Sequence, residues 1–124
     1  MAIKIGQDIS GDNPAHFLEM LEKQAPEMFD KALHQDALEL EADSVDLVPV
    51  DEAVLQRSSR VEKTSEGYTV GYYTDYAVYV HEMPGSYNFT KPGTGPKFLQ
   101  RPFEKRMKDF AERMAKRMKD ALGV

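Results

Sequence analysis

The chain has 124 residues, 41% of them hydrophobic and 30% charged, which suits one soluble folded domain rather than a disordered segment or two folded units. It has no cysteine, so disulfide frameworks, thiolate metal sites and cysteine nucleophiles are excluded. The net charge of -5 hides an asymmetry, because residues 1–56 carry 3 Lys or Arg against 13 Asp or Glu while residues 57–124 carry 13 against 8. Such polarity suits helix-on-helix pairing within a subunit, or head-to-tail contact between copies, better than a uniform basic face for nucleic acid.

In chain order, Ile3-Lys4-Ile5 alternates and predicts a short edge strand, ended by Gly6 and a polar turn over Asp8–Asn13. Asp12 or Asn13 followed by Pro14 starts a helix whose apolar face is Phe17, Leu18, Leu21 and Ala25. Pro26 kinks or breaks it, and a second helix runs from about Pro26 to Ser44 with Met28, Phe29, Ala32, Leu33, Ala37 and Leu40 on one side. Acidic residues at its C-terminal end, Glu41, Asp43 and Asp46, oppose the helix dipole and call for a basic neighbour. After the Val48-Pro49-Val50-Asp51 turn, Leu55–Thr64 reads as a strand that pairs through Ser65-Glu66-Gly67 with a second strand over Tyr68–Thr74, where Tyr68, Val70 and Tyr72 share a face.

Asp75–Glu82 is ambiguous, since its β-branched and aromatic content favours a strand while Asp75 could cap a short helix. Residues 83–97 form an extended Pro/Gly loop, of a length that is usually functional, in which Tyr87 and Phe89 read as partner contacts. Pro102 opens the last helix, with Phe103, Met107, Phe110, Met114, Met118 and Ala121 in a stripe at spacings of 4, 3, 4, 4 and 3, and Lys and Arg on the other face. Gly123 is its expected terminator. The fold class is α+β: N-terminal helices and a long C-terminal helix packed on a small antiparallel sheet in a single domain over residues 1–124.

Chemical motifs are sparse. Gly93-Thr94-Gly95-Pro96-Lys97 lacks the spacing and the following Ser or Thr of a phosphate loop, and its proline removes a needed N–H. His16, His34 and His81 have no metal-ligand spacing, and His81-Glu82 reads as a hydrogen-bonded histidine at an element end rather than a catalytic pair. No serine sits in a nucleophile elbow, and Asn88-Phe89-Thr90 matches a glycosylation acceptor by chance. No secretory or membrane-spanning run is evident, which predicts a cytosolic, unexported product.

Three segments, in order, resemble one family. Val48-Pro49-Val50-Asp51-Glu52-Ala53-Val54-Leu55-Gln56-Arg57-Ser58, Tyr76-Ala77-Val78-Tyr79-Val80-His81-Glu82 and Gly95-Pro96-Lys97-Phe98-Leu99-Gln100-Arg101-Pro102-Phe103-Glu104 are similar to segments of the small neck proteins of tailed bacteriophages, variously called tail-completion, head-tail joining or minor capsid proteins. The likeness spans roughly residues 14–122. It departs at Glu52-Ala53, where the family carries Thr-Gly, so the tight turn there can become a helical one. The resemblance implies a non-enzymatic virion component, assembled as a ring that connects the portal-side connector to the tail and supports genome passage. It also favours the short-helix reading of Tyr76–Glu82.

The implied partners are further copies of the chain and other neck, connector and tail proteins, with non-specific proximity to genomic DNA and no membrane. The implied location is the virion, after a period in the host cytoplasm. Partner contacts are assigned to Tyr87, Phe89, Lys97, Phe98, Arg101 and Lys105; no catalytic, metal or cofactor site is expected. A nucleic-acid-binding accessory domain using Lys105–Lys119 is the second reading, and a small enzyme with an unrecognised site is the third.

Overall fold

The structure is a computed structural model and describes residues 2–5, 22–49, 52–83 and 93–123. The expected helix start at residues 12–14, its apolar face at 17–21, and the loop residues Tyr87 and Phe89 lie outside them. The elements are β1 (Ala2–Ile5), α1 (Pro26–Val45), α2 (Ala53–Arg57), β2 (Ser59–Thr64), β3 (Gly67–Tyr72), α3 (Ala77–Glu82), α4 (Gln100–Met107) and α5 (Phe110–Leu122). The architecture is α+β, with a three-stranded antiparallel sheet in the order β1-β3-β2.

Residues 22–24 are helical, and Ala25, with φ -139° and ψ 62°, breaks the helix before Pro26 starts α1. Proline in the first turn loses no hydrogen bond there, so the break is also a start. The apolar residues Phe29, Leu33, Ala37 and Leu40 are buried at helical spacing, and Asp36 and Ser44 are buried on the same side. This face covers β3 and β2 and meets α4 and α5 along its length.

The β2–β3 hairpin has the register Ser59↔Tyr72 to Thr64↔Gly67, around the two-residue turn Ser65-Glu66. Gly67 lies at φ 140°, a conformation that side chains disfavour, and the Thr64 hydroxyl both accepts the Glu66 N–H and donates to the Gly67 carbonyl. Tyr68, Val70 and Tyr72 point to the core. On its other side β3 pairs with β1, from Ala2↔Gly71 to Ile5↔Tyr68, so the chain's first strand is an edge.

Two expectations need correction. Residues 53–57 form the helix α2, and the strand begins only at Ser59. Leu55 is fully buried, and Ser58 ties the helix end to the hairpin by donating to the Leu55 carbonyl (2.8 Å) and accepting the Tyr73 N–H (3.2 Å). The single long C-terminal helix is two helices broken at Lys108-Asp109. Arg113 donates to the Arg106 carbonyl (3.1 Å) and to Asp109 Oδ1 (2.7 Å), which satisfies the backbone and charge exposed by the break. Gly123, left-handed at φ 75°, closes α5 as expected.

The ambiguous Tyr76–Glu82 segment is a helix, α3, in which Ala77, Val80 and His81 are buried. Asp75 does not cap it; the residue before its first turn is Tyr76, and the Ala77 N–H bonds the Thr74 carbonyl. No described helix is long and apolar enough to cross a membrane.

Candidate functional site

The basic half of the chain meets the acidic half at a charged seam. Asp36 sits on the buried stripe of α1, where an isolated carboxylate would be strongly disfavoured. Three arginines surround it: Arg106 Nη2 at 2.9 Å, Arg113 Nε at 2.7 Å and Arg117 Nη1 at 3.1 Å from Oδ1, with Arg113 Nη2 at 3.3 Å from Oδ2. Arg106 also binds Glu39 (2.6 Å) and Asp43 (3.0 Å), and Arg117 binds Glu39 at 2.5 Å. Burial pulls the Glu39 carboxyl up, but hydrogen bonds from Gln35, Arg106 and Arg117 outweigh it and hold the group at about 2. Burial likewise opposes the charge on Arg106, while Asp36, Glu39 and Asp43 raise its pKa further.

The basic neighbour sought for the acidic end of α1 is therefore in the same subunit. Asp43 takes Arg106, and the arginines read as a free basic face are turned inward. Sequence reading missed the assignment although its signal was present. Asp36 interrupts an apolar stripe, and arginines at 106, 113 and 117 are separated by 7 and 4, one helical face, while Lys105, Lys108, Lys116 and Lys119 fall on the exposed side. Guanidinium suits this role because its planar fork can hold two carboxylates at once.

Beside the seam, an open groove of about 640 Å³ lies between the end of α1 and the α4–α5 elbow. Arg101, Pro102, Lys105 and Asp109 line one wall, and Asp43, Asp46 and Leu47 the other. Two residues assigned to partner contact, Arg101 and Lys105, are thus exposed and lie one helical turn apart on α4. Arg101 uses Nε on the Pro96 carbonyl and Nη1 on the Gly93 carbonyl, both at 3.1 Å, so these two bonds go to uncharged groups.

At the other end of the same segment, residues 95–100 are fastened to two upstream elements. The Gly95 N–H donates to the Leu47 carbonyl (2.9 Å), and the Lys97 N–H to the His81 carbonyl (2.7 Å). Lys97, at φ 58°, is the one non-glycine in the left-handed region among the described residues, and its ammonium pairs with Glu82. His81 Nδ1 lies 2.9 Å from Glu82 Oε1, and its Nε2 accepts the Gln100 N–H at 3.3 Å. Phe98 is a correction: it is fully buried, edge-on to both Tyr72 and His81, and belongs to the core rather than to a contact surface. Tyr87 and Phe89 fall outside the described residues.

A second set of exposed apolar side chains gathers where the hairpin opens. Ser59 pairs with Tyr72, so α2, which leads into β2, and α3, which follows β3, leave the sheet at the same end. Val54, Tyr73, Val78 and Tyr79 are exposed there, and Arg60 covers one face of Tyr73 at 5.0 Å. Among the described residues, no group of three or more His, Asp or Glu is arranged to hold a metal ion. No protein-family model, curated protein or solved structure matches this chain.

Proposed function

We propose that this chain is a structural virion protein of the phage head–tail junction, a neck or tail-completion protein that assembles as a ring between the portal-side connector and the tail. The observation that carries the reading is that the three segments resembling that family are fastened together in space. Gln56 donates to the Val48 carbonyl within the first segment, Gly95 bonds Leu47 at the border of that segment, and Lys97 and Gln100 bond His81 of the second. A ring needs heterologous contacts, in which one surface meets a different surface of the next copy. The Arg101/Lys105 groove and the apolar end of the hairpin are two such unlike surfaces. In this reading the protein is not an enzyme, works without a cofactor, and passes through the host cytoplasm before it joins the virion.

The nucleic-acid reading keeps the exposed Lys105, Lys108, Lys116 and Lys119 but shares its three arginines with the seam. Arg106, Arg113 and Arg117 are spent on carboxylates, and the groove beside them carries Asp43, Asp46 and Asp109. The test is light scattering and electron microscopy of the purified protein, alone and mixed with the candidate connector. Closed rings that are lost in an R101E/K105E variant with unchanged circular dichroism are expected. A protein that stays monomeric with connector present, but binds duplex DNA with a steep salt dependence, would replace this reading with the nucleic-acid one.

A further inference from the structure

The hairpin leaves one side of β2 without a neighbour. The sheet order is β1-β3-β2, so among the described residues no strand flanks the outer edge of β2. The Tyr73 N–H, just past the end of β3, is turned toward β2, where Ser58 Oγ accepts it. Backbone groups alternate along an antiparallel ladder, so Gly71, Thr69 and Gly67 also bond toward β2, to Arg60, Glu62 and Thr64. Ser59, Val61 and Lys63 therefore aim their N–H and C=O groups outward, away from β3. A row of outward backbone groups is a template for another strand.

We propose that β2 pairs edge to edge with β2 of a second copy, about a two-fold axis at Val61, and so joins two three-stranded sheets into one. In that register Val61 faces Val61, and Ser59 faces Lys63 in both directions; each of these pairs exchanges both of its N–H···O bonds. Arg60 then faces Glu62 of the second copy, and Glu62 faces its Arg60. These fall in the closer kind of antiparallel pair, with Cα atoms about 4.5 Å apart. Both side chains are exposed, and Arg60 is already steadied over the Tyr73 ring at 5.0 Å.

Charge selects this register. Sliding one strand by two residues keeps outward groups opposite outward groups, but sets Arg60 against Arg60 in one direction and Glu62 against Glu62 in the other. Sliding by one residue sets outward groups against groups already bonded to β3. An inward-facing lysine ordinarily guards an edge. Here the Lys63 ammonium is bonded to Asp30 on α1 at 3.1 Å, and the Tyr68 hydroxyl fixes Asp30 in turn at 2.7 Å. A two-fold contact closes on itself and does not propagate, so this pairing is separate from the head-to-tail contacts of a ring and does not rest on that reading.

Sedimentation equilibrium of the whole protein over a concentration series, with circular dichroism as the control for folding, tests the pairing. The parent protein is expected to dimerise. R60E and E62R each turn two attractive pairs into two repulsive ones, and each should raise the dissociation constant about tenfold. R60E/E62R restores the complementarity and should restore the dimer, and the two single variants mixed together should pair with each other. Amide exchange on the parent protein gives a reading if a single variant fails to fold: the Val61 and Lys63 amides should gain protection as concentration rises, while Glu62, bonded to β3, stays level. A parent protein that is monomeric throughout, dimers indifferent to R60E and E62R, or a double variant as weak as the single ones would overturn the pairing. Rings that form without dimers, and are lost in R101E/K105E, would overturn it while leaving the assembly reading intact.

Discussion

Asp36 and His81 are both buried polar side chains that join an upstream helix to the C-terminal pair, yet the two joints differ in kind. Asp36 is held by three guanidinium groups, whose charge does not vary over any ordinary pH, and its partners also bind Glu39 and Asp43. His81 accepts the Gln100 N–H at 3.3 Å through its ring and the Lys97 N–H at 2.7 Å through its carbonyl, and Lys97 pairs with Glu82. The first joint is a network of charges, and the second is built from hydrogen bonds of His81 to Gln100 and Lys97 and one ion pair of Lys97 with Glu82. Residues 95–100 are thus fastened without the multiple charges that hold α1 to α4 and α5.

The comparison can be broken most forcefully at the seam. Asp36→Ala leaves three arginines around an uncompensated buried site and should cost about 3–5 kcal/mol in urea denaturation; a loss under about 1 kcal/mol would mean that the seam is solvated and not a joint. Tyr72→Phe removes the buried 2.8 Å bond to Ser44 and leaves that hydroxyl without its partner, with an expected cost of about 1–2 kcal/mol by the same measurement. The seam should also carry a signature in pH. Glu39 is held below its ordinary 4.5, at about 2, so its contribution is complete above pH 4.5 and is lost as pH falls toward 2. Allowing for its partial exposure, the loss is about 1 kcal/mol. A denaturation series from pH 8 to pH 2 should therefore show this loss only in its acid arm, and not in Glu39→Gln. At the small end, Lys105→Glu on the exposed wall of the groove should shift stability by no more than about 0.5 kcal/mol. Its expected effect is on assembly, read by light scattering, and a stability loss like that of Asp36→Ala would assign Lys105 to the seam.

Much of the frame was legible in the residues. The break at Pro26, the extent of α1, the Ser65-Glu66 turn, the inward face of Tyr68, Val70 and Tyr72, and the Gly123 stop all follow from local rules of backbone geometry and periodicity. What was not legible depends on partners far away in the chain. Nothing at Lys108-Asp109 is a helix breaker; the elbow is supported by Arg113 bonding both Asp109 and the Arg106 carbonyl while also reaching Asp36. Leu55 belongs to a helical turn because that places it in the core, although β-branched and polar neighbours made the stretch look like a strand. Phe98 was assigned to partner contact, but Tyr72 and His81 provide an aromatic slot for it in the core. At the groove, Arg101 and Lys105 were expected partner contacts and both line it, whereas the seam beside it was not read from the sequence.

The seam also sets an order of events during synthesis. Asp36 finds its counter-charges 70, 77 and 81 residues further along the chain, so on the ribosome α1 must wait for residues 106–117 to emerge before its buried face can be neutralised. Until then the carboxylate favours keeping that face in water, which postpones closure of the core until the basic helices exist. A chain cut short before α4 would therefore display an acidic, incompletely packed helix, a form that quality-control proteases can recognise and remove.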